Sequence, residues 1–301
     1  MPIIDFGAAL KVKNILYLTD FSKPSEEALQ YAITCGRGFG AKVHALHIVV
    51  PEPLIYSTPG LTALAIQAED EKAHAEMLRI DSELSGLQHV TSVQRGIEVW
   101  PAVQEAIQEE DIDLIILGTH GRTGAEKLLL GSVAEEIFRR SPVPVLTIGP
   151  GVRASVHNGA RFHRVLFATD FSPESLAAAP YALSLAQKNQ SHLELITVMH
   201  KPGALDDSEL RLFEVSVAEA ISRLYEIIPQ NANFEFPPAV AVEYGEPAER
   251  IVEVAKQHDV DLIVIGVRDA ARHLGAATHL ERAIAHKVVA RARCPVLTVR
   301  G

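Results

Sequence analysis

Short apolar runs alternate with longer amphipathic stretches along the chain. In the first half the runs fall at 14–19, 42–50, 88–95, 113–118 and 143–148. They are rich in Val, Ile and Leu and flanked by turn residues, the pattern of strands buried on both faces. Between them, 24–38, 62–85, 101–110 and 132–140 carry apolar residues at helical spacing. Pro24 suits a first helical turn, and "SKPSEE" supplies a serine cap with early acids. Gly36, Gly38 and Gly40 are expected to close that helix. Regular alternation of strand and helix predicts an α/β fold: a doubly wound, parallel, five-stranded sheet, order 3-2-1-4-5, with helices on both faces.

The pattern occurs twice. "VKNILYLTDFSKPSEEALQYAI" (12–33) returns as "FHRVLFATDFSPESLAAAPYAL" (162–183), with Asp20 answered by Asp170. "DIDLIILG" (111–118) returns as "DVDLIVIG" (259–266), and "VPVLTIG" (143–149) as "CPVLTVR" (294–300). Several islands in one order imply two tandem domains, 1–150 and 151–301. "GPGVRASVHNGAR" (149–161), rich in Gly, Ser and Asn, would join them.

Composition narrows the class. The chain has 301 residues, 48% of them hydrophobic and 22% charged, as in globular proteins. A formal net charge of −10 disfavours a nucleic-acid backbone or an anionic membrane as partner. Cys35 and Cys294 lie far apart, which suits core thiols in a reducing compartment. The first residues lack a signal-peptide pattern, and no apolar run approaches bilayer length. A cytoplasmic location is expected.

The candidate chemistry lies in "GTHGRTGAEKLLLGS" (118–132). Ligands bind doubly wound sheets beyond the strands' carboxyl ends, where the order reverses. Asp20 follows the first strand and Gly118 the fourth, so both should border one crevice. Gly118 and Gly121 would let backbone approach a ligand closely. Ser132 reads as the cap of the helix that follows, whose amide end favours anions such as phosphate. Arg122, Lys127 and His120 could add positive charge, and Asp20 suits ribose hydroxyls or a base edge. The stretch is neither a P-loop nor G-x-G-x-x-G.

Gly118-x2-Gly121-x9-Gly131-Ser132 resembles the ATP-binding signature of the universal stress protein family. "TDFS" after the first strand and "SPVPVLTI" on the last are similar to that family too. The resemblance spans nearly the whole chain, twice. It implies ATP, alone or with Mg²⁺, in the first domain. Thr19 and Asp20 would meet adenosine and Ile48 would line the adenine. Leu117 and Gly118 would bound the nucleotide. Gly121, Gly131, Ser132 and Val133 would hold phosphates, joined by His120 and Arg122. It also implies pairing through the last strand, as an intrachain pseudo-dimer or a homodimer.

The second copy departs from the signature. From Gly266 to Pro295 there are 29 residues, against 26 from Gly118 to Pro144. Counting back from Pro295, Arg282-Ala283 stands where Gly131-Ser132 stood, and Asp269 falls near the place of Gly121. A bulky side chain would fill the phosphate space and an acid would repel phosphate. This copy is not expected to bind ATP in the same manner.

Plainer readings stand beside these. Asp20 could serve only the turn, since Asp170 survives where the loop does not. Arg122 and Lys127 could simply be solvated. His273, His279 and His286 are spaced by six and seven, unlike zinc pairs on a helix, so no metal site is expected. His44 and His47, three apart on a strand, point to opposite faces and form no site. Trp100 suits packing or an interface. Three functions follow: a nucleotide-binding stress protein acting through partners, a slow ATP hydrolase of the same fold, or a ligand-free interaction module. No acidic cluster beside the loop supports efficient turnover.

Overall fold

The computed structural model describes residues 11–50, 59–119, 131–149, 152, 162–203, 206–267 and 277–301. Of residues 59–65 and 277–283 it describes the backbone alone. The chain divides into two compact units, whose main segments are Lys11–Pro150 and Arg161–Gly301.

The first unit runs β1 (Asn14–Thr19), α1 (Lys23–Phe39), β2 (Lys42–Val49), α2 (Pro59–Glu83), β3 (His89–Arg95), α3 (Val99–Glu109), β4 (Leu114–Gly118), α4 (Ser132–Arg140) and β5 (Val145–Ile148). Its strands are parallel in the order β3-β2-β1-β4-β5, as the alternating pattern predicts. Registers Thr19↔His47 and Leu18↔Leu117 bring the carboxyl ends of β1, β2 and β4 together. The sheet core is fully buried at Ile15, Leu16, Tyr17, Ile115 and Ile116. Each such side chain contributes roughly 1.5–3 kcal/mol of apolar burial. The Tyr17 hydroxyl donates to the Ser25 carbonyl at 2.7 Å, joining β1 to the start of α1. Burial pushes that phenol well above its ordinary range.

Three expectations need correction. β3 is not buried on both faces; it is a half-exposed edge strand, which "HVTSVQR" tolerates because polar residues alternate with Val. Gly36 and Gly38 lie inside α1, and only Gly40 ends it, in the left-handed region at φ 66°. A Cβ at Gly36 would stand 3.0 Å from Val43 Cγ2, so that glycine sets how closely α1 approaches β2. Ser22 occupies the N-cap position of α1, but its side chain accepts no capping hydrogen bond.

The second unit runs β6 (Arg164–Ala168), α5 (Pro173–Leu176), α6 (Ala179–Asn189), β7 (His192–Met199), α7 (Asp207–Ile227), β8 (Ala239–Tyr244), α8 (Pro247–Gln257), β9 (Leu262–Val267), α9 (Ala277–Arg291) and β10 (Val296–Arg300). Its order is β8-β7-β6-β9-β10, again parallel. The counterpart of α1 is split into α5 and α6, and Pro180 lies in the first turn of α6. Proline lacks the amide that a continuous helix would need there. Helix α7 is held at its start by an Asp206/Glu209 capping box.

The repeated "D-x-D" has the same use in both units. Asp111 and Asp259 turn the chain in the left-handed region, at φ 46° and 50°. Asp113 accepts the amides of Lys13 and Asn14 at 2.7 and 3.0 Å, and Asp261 those of His163 and Arg164 at 2.7 and 3.1 Å. The island therefore anchors the first strand of each unit. No helix among the described residues is long and apolar enough to cross a membrane.

Candidate functional site

Thr-Asp-Phe-Ser forms a compact turn at the end of β1. The Thr19 hydroxyl accepts from the Phe21 amide at 3.0 Å, and Asp20 Oδ1 accepts from the Ser22 amide at 3.0 Å. These two side chains hold Phe21 in the left-handed region, φ 61°, which a bulky residue seldom adopts. Ser25, buried in the first turn of α1, donates its hydroxyl to Asp20 Oδ1 at 2.9 Å. The second unit repeats the turn: Phe171 has φ 64°, with Thr169 accepting its amide at 2.9 Å and Asp170 accepting that of Ser172, also at 2.9 Å. Burial tends to raise the Asp170 carboxyl, but hydrogen bonds from Ser172 and Ser175 outweigh it and hold the group below its usual value. The turn is thus a structural device shared by both units, as the plainer reading of Asp20 had it.

At the end of β4, Gly118 has a packing use besides the one its position suggested. A Cβ there would stand 2.7 Å from the Pro24 carbonyl carbon and 2.8 Å from the Ser25 amide nitrogen. The residue is glycine because the start of α1 lies directly on the end of β4. Gly266 is under the same constraint, with Glu174 O at 2.3 Å and Ser175 Cα at 2.5 Å from such a Cβ. The close approach is therefore to the protein's own backbone.

Beyond Gly118 the chain is tied back on itself. Thr119 donates its amide to the Ile148 carbonyl at 2.9 Å, and its carbonyl accepts the Gly131 amide at 2.7 Å. The residues on either side of the 120–130 segment are thereby clamped together at the sheet edge. Gly131, not Ser132, is the N-cap of α4, with φ −61° and ψ 142°. Ser132 is the first helical residue, and the glycine at the cap position brings no side chain to the helix start. A glycine at the cap offers the first-turn amides no side-chain acceptor of its own, and such a helix start suits an external anion.

These pieces border one cleft of about 270 Å³. Leu18, Leu46, Ile48, Val99 and Leu117 give it an apolar wall. Thr19, Asp20, Ser25 and Thr119 line it beside the start of α4 at Gly131, Ser132, Val133 and Ala134. Gly118 completes the lining. The arrangement suits a ligand with a flat apolar part and an anionic part.

The cleft brings together Thr19, Asp20, Ile48, Leu117, Gly118, Gly131, Ser132 and Val133 of the residues expected from sequence. His120, Gly121, Arg122 and Lys127 lie outside the described residues. Sequence reasoning missed Leu18, Ser25, Leu46, Val99, Thr119 and Ala134. Leu46 was within reach, since it precedes Ile48 by one strand period. Val99 opens α3 after β3, a place on the carboxyl edge of the sheet that element order alone supplies.

The second unit departs more than the residue count suggested. Aligned on Pro144 and Pro295, position 283 corresponds to Ser132, the first residue of α4. Yet α9 already starts at Ala277, six residues earlier. Roughly one and two-thirds extra helical turns therefore run through the place of the cradle. The backbone amides there bond to carbonyls of their own helix. The departure thus lies in the backbone itself. The expected obstruction by Arg282 and repulsion by Asp269 concern side chains outside those described. His273 and His279 also lie there. No group of His, Cys, Asp and Glu suited to a metal ion occurs among the described residues.

Elsewhere, Trp100 is buried with the Arg140 guanidinium 5.0 Å from its ring centroid, a packing role. His44 and His47 are both buried.

Comparison with known proteins matches this architecture. The model of the universal stress protein family fits residues 11–149 and again 161–300. Universal stress protein MJ0531 of Methanocaldococcus jannaschii is 32% identical over 141 residues, covering 45% of this chain and 81% of its own. A universal stress protein of Mycobacterium tuberculosis is 24% identical over 241 residues, 77% of each chain. A universal stress protein structure from Archaeoglobus fulgidus shares the fold with TM-score 0.65 and 23% identity, covering 95% of this chain and 96% of that one. The chain belongs to the universal stress protein family and carries its domain twice in tandem.

Proposed function

We propose that the first unit binds ATP and that the protein acts in a stress response through partners that read the bound state. The observation that carries this reading is the start of α4, whose N-cap is a glycine, opening on the cleft that holds Asp20. Thr19 and Asp20 would face the adenosine, with Leu46, Ile48 and Val99 along the base. The cleft volume of about 270 Å³ suits the nucleoside part. The phosphates would lie over the amides of Ser132 and Val133, assisted by Gly121, His120 and Arg122 from the preceding segment. The second unit, whose helix runs through the equivalent place, would bind no nucleotide in this manner.

Isothermal titration with ATP tests this directly. One site per chain is expected, lost in Gly131→Arg, whose side chain would occupy the helix start. Two equal sites, or unchanged binding in that variant, would overturn the assignment. Cyclic AMP, present in the structure of another universal stress protein, is the natural competing probe. As a binding protein, the chain should release phosphate from ATP well below about one turnover per second.

A further inference from the structure

The turn carrying Asp20 is braced from behind by a residue that does not line the cleft. His47 stands on β2 between Leu46 and Ile48, both of which face the cleft. It is buried, at 7% exposure. Its Nδ1 lies 2.7 Å from the Thr19 carbonyl oxygen. A carbonyl can only accept, so Nδ1 must carry the proton. The imidazole also packs on the Phe21 ring, with centroids 4.2 Å apart. One side chain therefore grips the residue before Asp20 by a hydrogen bond and the residue after it by ring contact.

We propose that His47 is a positioning residue that holds the Thr19–Ser22 turn so that Asp20 faces the cleft. The second unit supplies the contrast. Thr197 occupies the corresponding strand position, and Phe171 is covered instead by the Arg223 guanidinium, 4.1 Å from its centroid. The turn is the same in both units, but only the unit with the open helix end fastens it from the neighbouring strand with an imidazole. A hydrogen bond is directional where a ring contact is not, so His47 fixes the carbonyl and hence the exit angle of the chain. The consequence for affinity rests on the ATP reading above; the geometry does not.

Two measurements on the full chain separate these. Nitrogen-15 NMR of histidine should show His47 as the Nδ1–H tautomer, the minor form for a histidine in water. The Nε2–H tautomer would overturn the inference whether or not ATP binds. His47→Leu should speed amide exchange at Phe21 and Ser22 and weaken ATP binding about three- to tenfold. His47→Asn, which can present an amide N–H to the Thr19 carbonyl, should recover part of the affinity. It also serves if the leucine variant fails to fold. Unchanged exchange and affinity in both variants would overturn the proposal. If the parent protein binds no ATP, the functional reading falls, and the tautomer and exchange rates still decide the role of His47.

Discussion

The two units solve the same folding problem with the same parts and differ where a ligand would sit. Both anchor their first strand on an aspartate, Asp113 or Asp261. Both turn through a left-handed Phe held by Thr and Asp. Both need glycine where the last residues of β4 or β9 touch the first helix. Yet α4 begins at Ser132 over a cleft, whereas α9 begins six residues before the matching place. Features present in both units are accounted for by folding, and those confined to one are the candidates for function. By that criterion Gly118 and the Asp20 turn are structural first, and Gly131 and Ser132 are the described residues of the signature that differ between the units.

The largest effect expected from breaking this symmetry is at the paired glycines. Gly118→Ala and Gly266→Ala each force a methyl group into backbone within 3 Å. Each should destabilise its own unit by about 1–3 kcal/mol, the usual cost of overpacking, seen as a lower denaturation midpoint. The comparison predicts that the two losses are similar. If Gly118→Ala left stability intact and removed only ATP binding, Gly118 would have to be read as a ligand residue after all.

A smaller effect is expected at a pair that the units wear in reverse. In the first, His44 on β2 lies 3.5 Å from Glu110 beyond α3; in the second, Glu194 on β7 lies 2.6 Å from His258 beyond α8. The strand position is the more buried one in each case. Burial, aided by the charge of Lys42, depresses the His44 pKa against the opposing pull of Glu110. His44 is therefore neutral in the folded state over a range where the unfolded chain, titrating near about 6.5, already takes up a proton. Its contribution to stability is whole above about pH 6.5 and fades as pH falls through the lower folded value. His44→Gln should flatten the acid limb of the first unit's stability curve. An acid limb identical to that of the parent would show that His44 is not its source.

How much of this was legible follows from which physics each feature uses. Strand order and the repeat were readable because buried parallel strands need apolar runs, and "TDFS" with "D-x-D-L-I" marks fixed points in each unit. The strand β3 was read at 88–95, but its half-exposure escaped, because an edge strand need not be buried on both faces and its pattern is diluted by Thr, Ser, Gln and Arg. The α9 extension escaped because three added residues read equally well as loop or helix; only hydrogen bonding along the backbone decides. Ser132 was taken for a cap on residue type, yet the backbone at Gly131 is extended and makes glycine the cap. His47 was set aside because, three residues from His44 on one strand, it lies on the opposite face and forms no site with it. Alternation is right about the face and says nothing of the carbonyl that the ring reaches.

The smallest effect concerns how the second unit holds the turn without an imidazole. Phe171 has the same left-handed backbone as Phe21, but its ring is covered by Arg223 from α7. A guanidinium over a ring at an exposed position contributes only about 0.5–1 kcal/mol. Part of that is apolar contact from the arginine stem, which a leucine would keep. Arg223→Leu should therefore lower the stability of the second unit by less than about 1 kcal/mol, with the loss shrinking as salt is added. The Thr169 and Asp170 hydrogen bonds to the turn remain, so amide exchange at Phe171 and Ser172 should change little. ATP binding by the first unit should not change. A large increase in exchange at Phe171 would mean that Arg223 fastens the second turn as His47 is proposed to fasten the first. The contrast between the units would then rest on α4 and α9 alone.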